Sequence, residues 1–385
     1  MQLALKTPAV HMAPWAFIVV GALGPLAPSA LAQPYSAHHD GEVVRLEDAK
    51  AQTVVSIVPS VGNIAFDMTV KGHHVLRWPY ASLEEFRRRP ALSGIPFVGP
   101  WANRLDEPAF YANGRKYAFD QELGNVRGPI PIHGFLSTTS EWRVVDLQAD
   151  TRAAWVTSRL DVSKQPVWMK QWPFAHTIDV TYRLADGTLE VRTAITNLSG
   201  EPMPIAIGFH PYFQLTDSPR DEWAIAIAAR THWLLAPTKV PTGETEPADR
   251  LFPNPRAARL ADYNLDDVFS DLVRDQSGGA TMSVTGRSQR IDVVLGPKYR
   301  SIVVWAPHPA NRGRGSQALS PVAQPAASPS PAGQPAPDRN FVCLEPMAGI
   351  TNAINLAHRG VYRELENLPP GETWRESFWV RPSGF

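Results

Sequence analysis

The strongest constraint on this chain is its punctuation: short β-branched or alternating runs, each closed off by turn residues, recur along most of its length. Val54-Val55-Ser56-Ile57-Val58, Thr177-Ile178-Asp179-Val180-Thr181-Tyr182, Leu189-Glu190-Val191-Arg192-Thr193-Ala194-Ile195 and Trp223-Ala224-Ile225-Ala226-Ile227 are such runs. Alternation with a period of two sends successive side chains to opposite faces of a strand, so these segments predict strands rather than helices. Asp186-Gly187 falls between two of them and is a hairpin signal, because a two-residue turn that matches strand twist needs positive φ at both positions. No stretch of about 12 or more residues carries the spacing of an amphipathic helix; Leu83 to Arg89 could make one short helical turn. Proline supplies 37 of 385 residues, about twice the usual frequency, which suits many punctuated strands. The expected fold is all-β, a sandwich of packed sheets.

Residues 312–338 are different in kind. Their Pro-, Ala-, Ser- and Gln-rich sequence has almost no large apolar side chain and cannot bury enough surface to fold, which predicts a disordered surface loop. Strand-like sequence lies on both sides, Ser301 to Trp305 and Phe341 to Leu344. The remainder, residues 339–385, is too short for a second domain of this kind, so residues 33–385 are expected to form one domain carrying an insert.

The first 32 residues carry one full charge, Lys6, ahead of an apolar run from Trp15 to Gly24 and the small-x-small pattern Ala30-Leu31-Ala32. That order predicts a signal peptide at 1–32, cut before Gln33, and a periplasmic or secreted mature protein. The rival, an anchor helix, is opposed by Gly24, Pro25 and Pro28, which break the run short of the roughly 20 residues a span needs. No membrane association is expected after cleavage.

Charge argues against nucleic acid as a partner. Lys and Arg number 37 against 37 Asp and Glu, where a nucleic-acid binder would show a basic excess or stripe. The densest basic run, Arg87-Arg88-Arg89, reads as a solvated loop. Cys343 is the only cysteine, so no intrachain disulfide can form, and beside Leu344 it reads as a packing residue rather than a nucleophile.

Four polar constellations stand out: Gly99-Pro100-Trp101-Ala102-Asn103-Arg104-Leu105, Pro131-Ile132-His133-Gly134-Phe135, Gly208-Phe209-His210-Pro211-Tyr212-Phe213, and Cys343-Leu344-Glu345-Pro346-Met347. Each has an ordinary explanation alone. His133 reads as a loop histidine, His210 as a core histidine among aromatics, Glu345 as a strand end and Arg104 as half of a surface ion pair.

Their order does more. Ala-Asn-Arg, then His-Gly-Phe, then His-Pro-Tyr-Phe, then Leu-Glu-Pro resembles the aldose 1-epimerase (galactose mutarotase) family. Asn113-Gly114, Pro241-Thr242-Gly243, Leu265-Asp266-Asp267-Val268-Phe269 and Leu368-Pro369-Pro370-Gly371-Glu372 fall between and after them in the matching order. The resemblance spans roughly residues 45–383. It implies a large antiparallel β-sandwich, the supersandwich of galactose mutarotase-like proteins, with a sugar on its concave face. By position it implies Glu345 as catalytic base and His210 as acid. It implies His133, Arg104, Asn103 and Asp266 as substrate-binding residues, with Asp267 as the neighbour a one-residue shift would choose instead. Strand neighbours point to opposite faces, so only one of the two aspartates can reach the substrate.

The chemistry such residues serve is mutarotation. A base takes the proton from the C1 hydroxyl, an acid protonates the ring oxygen, the aldehyde rotates, and the reverse steps close the ring on its other face. Only protons move, so no metal or redox cofactor is called for, and the chain shows no zinc-ligand spacing, phosphate loop or Gly-x-Ser-x-Gly elbow. The expected partner is a free hexose such as galactose or glucose, bound by a monomer or weak dimer. Trp101 and Trp305 are candidate stacking rings. Pro100 and Trp101 depart from the Gly-Arg-Tyr-Ala-Asn-Arg form common in the family. The stretch after His133 lacks the basic residues expected of relatives acting on hexose 6-phosphates. The competing functions are a catalytically idle carbohydrate-binding protein and a hexose-6-phosphate 1-epimerase.

Overall fold

Three antiparallel sheets carry most of the chain. The structure, a computed structural model, describes residues 33–88, 90–308 and 339–385; the leader expected at 1–32 and the insert expected at 312–338 lie outside the described residues. A nine-stranded sheet is built around the long strands His176–Ala185, Thr188–Asn197 and Thr373–Ser383. An eight-stranded sheet runs through Ala229–Leu235, Leu265–Leu272, Ser301–Ala306 and Val342–Met347. A five-stranded sheet spans Tyr35–Asp40 to His73–His74. Every ladder between these strands is antiparallel, and no helix among the described residues exceeds six residues. None is long and apolar enough to cross a membrane.

The predicted strands are found at Thr53–Val58, His176–Ala185 and Thr188–Asn197. Asp186 and Gly187, at φ 47° and 68°, make the tight turn their sequence calls for. Leu83–Arg88 is one short helix, so Arg87 and Arg88 lie on it rather than in a loop, and Arg87 pairs with Glu42. One strand is shorter than predicted. Trp223 closes a 3-10 turn over Arg220–Glu222, donating its indole N–H to Ser218 O at 3.0 Å, and only Ala224–Ala226 pairs.

Burial along the strands locates the functional face. His176–Ala185 alternates buried and half-buried residues, as a strand with one covered face should. Val342–Met347 is buried throughout and Leu265–Leu272 nearly so, because both their faces are covered. Phe269, Ile302, Val304 and Leu344 belong to the main core, which they share with Ile178, Val191, Trp374 and Phe378 of the nine-stranded sheet. Burying each such large apolar side chain contributes about 1.5–3 kcal/mol. The alternate residues face the other way, where Val268, Val303 and Met347 form one small cluster and Cys343, Trp305, Tyr212 and Phe341 another. Polar side chains occupy the gap between those clusters.

Candidate active site

Strand register brings two of the predicted residues together. Asp266 pairs with Trp305 and Trp305 with Cys343, while Val268 pairs with Val303 and Val303 with Glu345. Directly opposed residues share a face, so Asp266 and Glu345 emerge on the same side, in neighbouring rows. Asp267, opposite Val304, points to the core instead. The choice between the aspartates is thereby made by parity: Asp266 Oδ2 accepts from Arg104 Nη2 at 3.2 Å, whereas Asp267 Oδ1 meets His232 Nε2 at 2.9 Å.

His210 enters from the short strands at the same edge. Gly208 pairs with Met347, Tyr212 pairs with Cys343, and the His210 N–H donates to Pro96 O at 3.0 Å. This holds His210 Nε2 3.2 Å from Glu345 Oε1, with the two side chains 6% and 2% exposed. The imidazole stacks on Tyr212 at 4.9 Å and meets the edge of Trp305 at 5.7 Å.

Asn103, Arg104 and His133 arrive on loops zipped to each other. The N–H groups of His133 and Phe135 donate to Asn103 O and Gly99 O, each at 2.9 Å, and that of Leu105 donates to Pro131 O at 2.9 Å. Gly134 makes the approach possible: its φ is 61°, and a Cβ there would lie 2.0 Å from Gly99 O. Asn103 and His133 are themselves left-handed, at φ 58° and 60°, conformations that cost energy outside glycine and cluster at functional sites. Asn103 Oδ1 accepts from the Arg104 N–H at 2.9 Å and from Arg104 Nη1 at 3.1 Å. The Asn103 N–H donates to His133 Nδ1 at 3.2 Å. A ring nitrogen that accepts a backbone N–H carries no proton, so neutral His133 presents Nε2–H as a donor.

The electrostatics follow from burial. Removal from water holds the Glu345 carboxyl well above its ordinary range, with Asp266 adding repulsion and Arg104 opposing. Burial pushes His210 down to about 3, and Arg104 acts in the same direction. His133 is also held well below its usual value by burial, His210 and Arg104. Among the described residues His210 Nδ1 has no hydrogen-bond partner, and it is Nε2 that faces the Glu345 carboxyl. Asn103, Arg104, His133, His210, Asp266 and Glu345 thus share one polar site, able to donate and accept protons at two adjacent oxygens of a ligand.

Trp101 does not join them. Its ring is 1% exposed and stacked on Phe119 at 4.9 Å within the main core, so it fills space as most tryptophans do. Trp305 remains beside His210. Sequence reasoning missed Lys239, 6% exposed in the turn between Ala229–Leu235 and Pro241–Pro247. Burial lowers its pKa against the pull of Asp266 and Asp267. It stands two residues before Pro241-Thr242-Gly243, which was the only signal near it. Among the described residues, no group of three or more His, Cys, Asp or Glu side chains is placed to hold a metal ion.

An antiparallel sandwich with a buried acid–base pair on one sheet face defines a class, and comparison with known proteins gives it a family. The chain belongs to the aldose 1-epimerase family, whose sequence model matches residues 43–381. Membership supports a carbohydrate epimerase by class. A galactose mutarotase-like protein from Clostridium acetobutylicum has the same fold, with a TM-score of 0.73 and 21% identity over 91% of this chain and 98% of that one. Galactose 1-epimerase from Lactobacillus acidophilus superposes with a TM-score of 0.65 at 14% identity, over 91% of this chain and 98% of that one. The uncharacterized protein YphB of Escherichia coli (strain K12) is 27% identical over 142 residues, 37% of this chain and 42% of the relative, so this alignment spans less than half of YphB.

Proposed function

We propose that this chain is an aldose 1-epimerase, a mutarotase interconverting the α and β anomers of a free aldose such as galactose or glucose. One observation carries the proposal: the 3.2 Å approach of His210 Nε2 to Glu345 Oε1. A sugar's C1 hydroxyl and ring oxygen are bonded to one carbon, and two proton-transfer groups this close can serve both. Glu345 is the base and His210 the acid. Asp266, Arg104, Asn103 and His133 bind the sugar's oxygens, with the Arg104–Asp266 pair at 3.2 Å supplying charged hydrogen-bonding groups.

The proton count closes without help from outside. The pair holds one proton, either as carboxylic acid and neutral imidazole or as carboxylate and imidazolium. Ring opening begins from the second form: Glu345 takes the C1 hydroxyl proton as His210 delivers its own to the ring oxygen, leaving the first form beside the open-chain aldehyde. Closure on the other face reverses both transfers and restores carboxylate and imidazolium. Burial favours the uncharged form in the free protein, so sugar oxygens entering the site must stabilise the charged one. Each positioned group is worth about 10²–10⁴-fold in rate.

A buried ionisable pair costs stability, and a protein that only bound sugar would have no need for its two members to exchange a proton. Polarimetry of freshly dissolved α-D-glucose and α-D-galactose tests the proposal, with glucose 6-phosphate as the competing substrate. Accelerated rotation of the free sugars is expected; acceleration of the phosphate alone, or of none, defeats it. The mature chain in this proposal begins at Gln33 and works in the periplasm or outside the cell. N-terminal sequencing of the exported protein tests that start.

A further inference from the structure

On the core side of the sheet, directly behind the site, lies a second cluster of ionisable groups for which the proposed mechanism has no use. His232 is 3% exposed, and its two ring nitrogens each meet a carboxylate at 2.9 Å, Nδ1 to Glu246 Oε1 and Nε2 to Asp267 Oδ1. Ionised carboxylates only accept, so a ring serving both donates from both nitrogens and carries a positive charge. The cross-strand register sets this up: His232 pairs with Glu246 on one side and with Phe269 on the other. The imidazole stacks on the Phe269 ring at 5.0 Å. The second oxygen of Asp267 accepts the backbone N–H of Asp266 at 3.0 Å. A chain of contacts therefore runs from Glu246 through His232 and Asp267 to the main chain of Asp266, and from the Asp266 carboxylate to Arg104. The nearby charges on the site side are Arg104, Asp266 and Lys239.

Charged groups on a core face are costly, and an apolar set of similar volume would pack there at less cost. Their retention is accounted for by what they hold. We infer that His232 is a positioning residue for sugar binding: charged and clamped between Glu246 and Asp267, it fixes the backbone at Asp266 and so the angle at which that carboxylate meets Arg104. This rests on the proposal that Asp266 and Arg104 bind the sugar.

The effect belongs in affinity more than in turnover, since His232 reaches neither His210 nor Glu345. His232→Gln should raise KM for the better aldose about tenfold, the size of one weakened charged hydrogen bond, with kcat kept within about threefold. Asp266→Asn should do the same, and the double variant should be no worse than Asp266→Asn alone, because residues acting through one another are not additive. An unchanged KM in His232→Gln, or effects that multiply in the double variant, would overturn the inference. Ring-nitrogen NMR of the unaltered protein near neutral pH supplies a measurement independent of whether the variant folds. His232 should show both nitrogens protonated, and a neutral tautomer there would also overturn it. Wild-type turnover with an unmoved KM in His232→Gln defeats this inference alone; a wild type that neither turns over nor binds any aldose takes the proposed function down with it.

Discussion

His210 and His232 sit on opposite faces of one sheet, each buried and each within about 3 Å of a carboxylate, yet their surroundings push them in opposite directions. His210 meets one carboxyl, has no partner on Nδ1 among the described residues, and feels Arg104; burial wins and drives it down to about 3. His232 suffers the same desolvation, but two carboxylates hold its two N–H groups, and its pKa rises. The hydrogen-bonded carboxylates, Asp267 ahead of Glu246, outweigh burial at His232. The first arrangement leaves the shared proton with Glu345 in the free protein and exposes it to whatever oxygens enter the site, as acid–base work requires. The second locks a proton in place, as a scaffold requires.

The contrast is broken most directly by Glu345→Gln. Its mutarotation rate should fall by about 10³-fold or more if the residue is the base. Glu345 has a raised folded pKa, so the stability it contributes is present below its unfolded value and lost as pH rises through the folded one. The inactive variant should therefore melt no lower than wild type at alkaline pH, and higher if the carboxyl ionises there, by calorimetry. A large loss of Tm would mean the carboxylate is structural.

Arg104→Ala comes next. It removes charged hydrogen bonds to Asn103 and Asp266, and KM should rise by about 10- to 100-fold. Saturation kinetics with kcat little changed would keep it in binding, and a loss confined to kcat would move it into the chemistry.

pH sharpens the comparison through stability. His210, His133 and His176 are held below their ordinary values by burial, His176 at about 4. Below about pH 6.5 the unfolded chain binds protons that these folded sites refuse, so stability falls as pH drops from there toward about 4. His232 has the opposite sign. Its contribution is fully present below about pH 6.5 and disappears as pH rises through its higher folded pKa. The Tm penalty of His232→Gln should accordingly be largest in mild acid, at a few degrees, and shrink in alkali. A penalty that grows with pH would contradict the charged assignment.

The smallest effect is expected at Cys343, which shares the site's sheet face but lies in an aromatic cluster, its thiol raised by burial. Cys343→Ala should leave the mutarotation rate within about threefold, as expected of a packing residue rather than a proton carrier. A rate loss as large as that of Glu345→Gln would place the thiol in the reaction.

The strands were legible because alternation writes burial directly into the chain. His176–Ala185 shows it residue by residue. Val342–Met347 was readable only as an apolar run, since covering both faces erases the period. The predicted strand at Trp223 overran because the indole's bond to Ser218 is a tertiary matter that no local pattern records. Five of the six candidate residues stood in the four short motifs and Asp266 in a fifth, Leu265-Asp266-Asp267-Val268-Phe269, whereas Trp101 misled: being aromatic and next to Asn103 does not reveal which way a ring points.

The sequence by itself determined the all-β class, because periodicity is a local property, and its resemblance to the aldose 1-epimerase family picked out the candidate site side chains through the order of short motifs. Only the tertiary structure decided that Asp266 rather than Asp267 faces Arg104, that His210 touches Glu345, and that His232 is clamped from both sides. Those outcomes depend on cross-strand register, and shifting a strand by one residue exchanges its two faces.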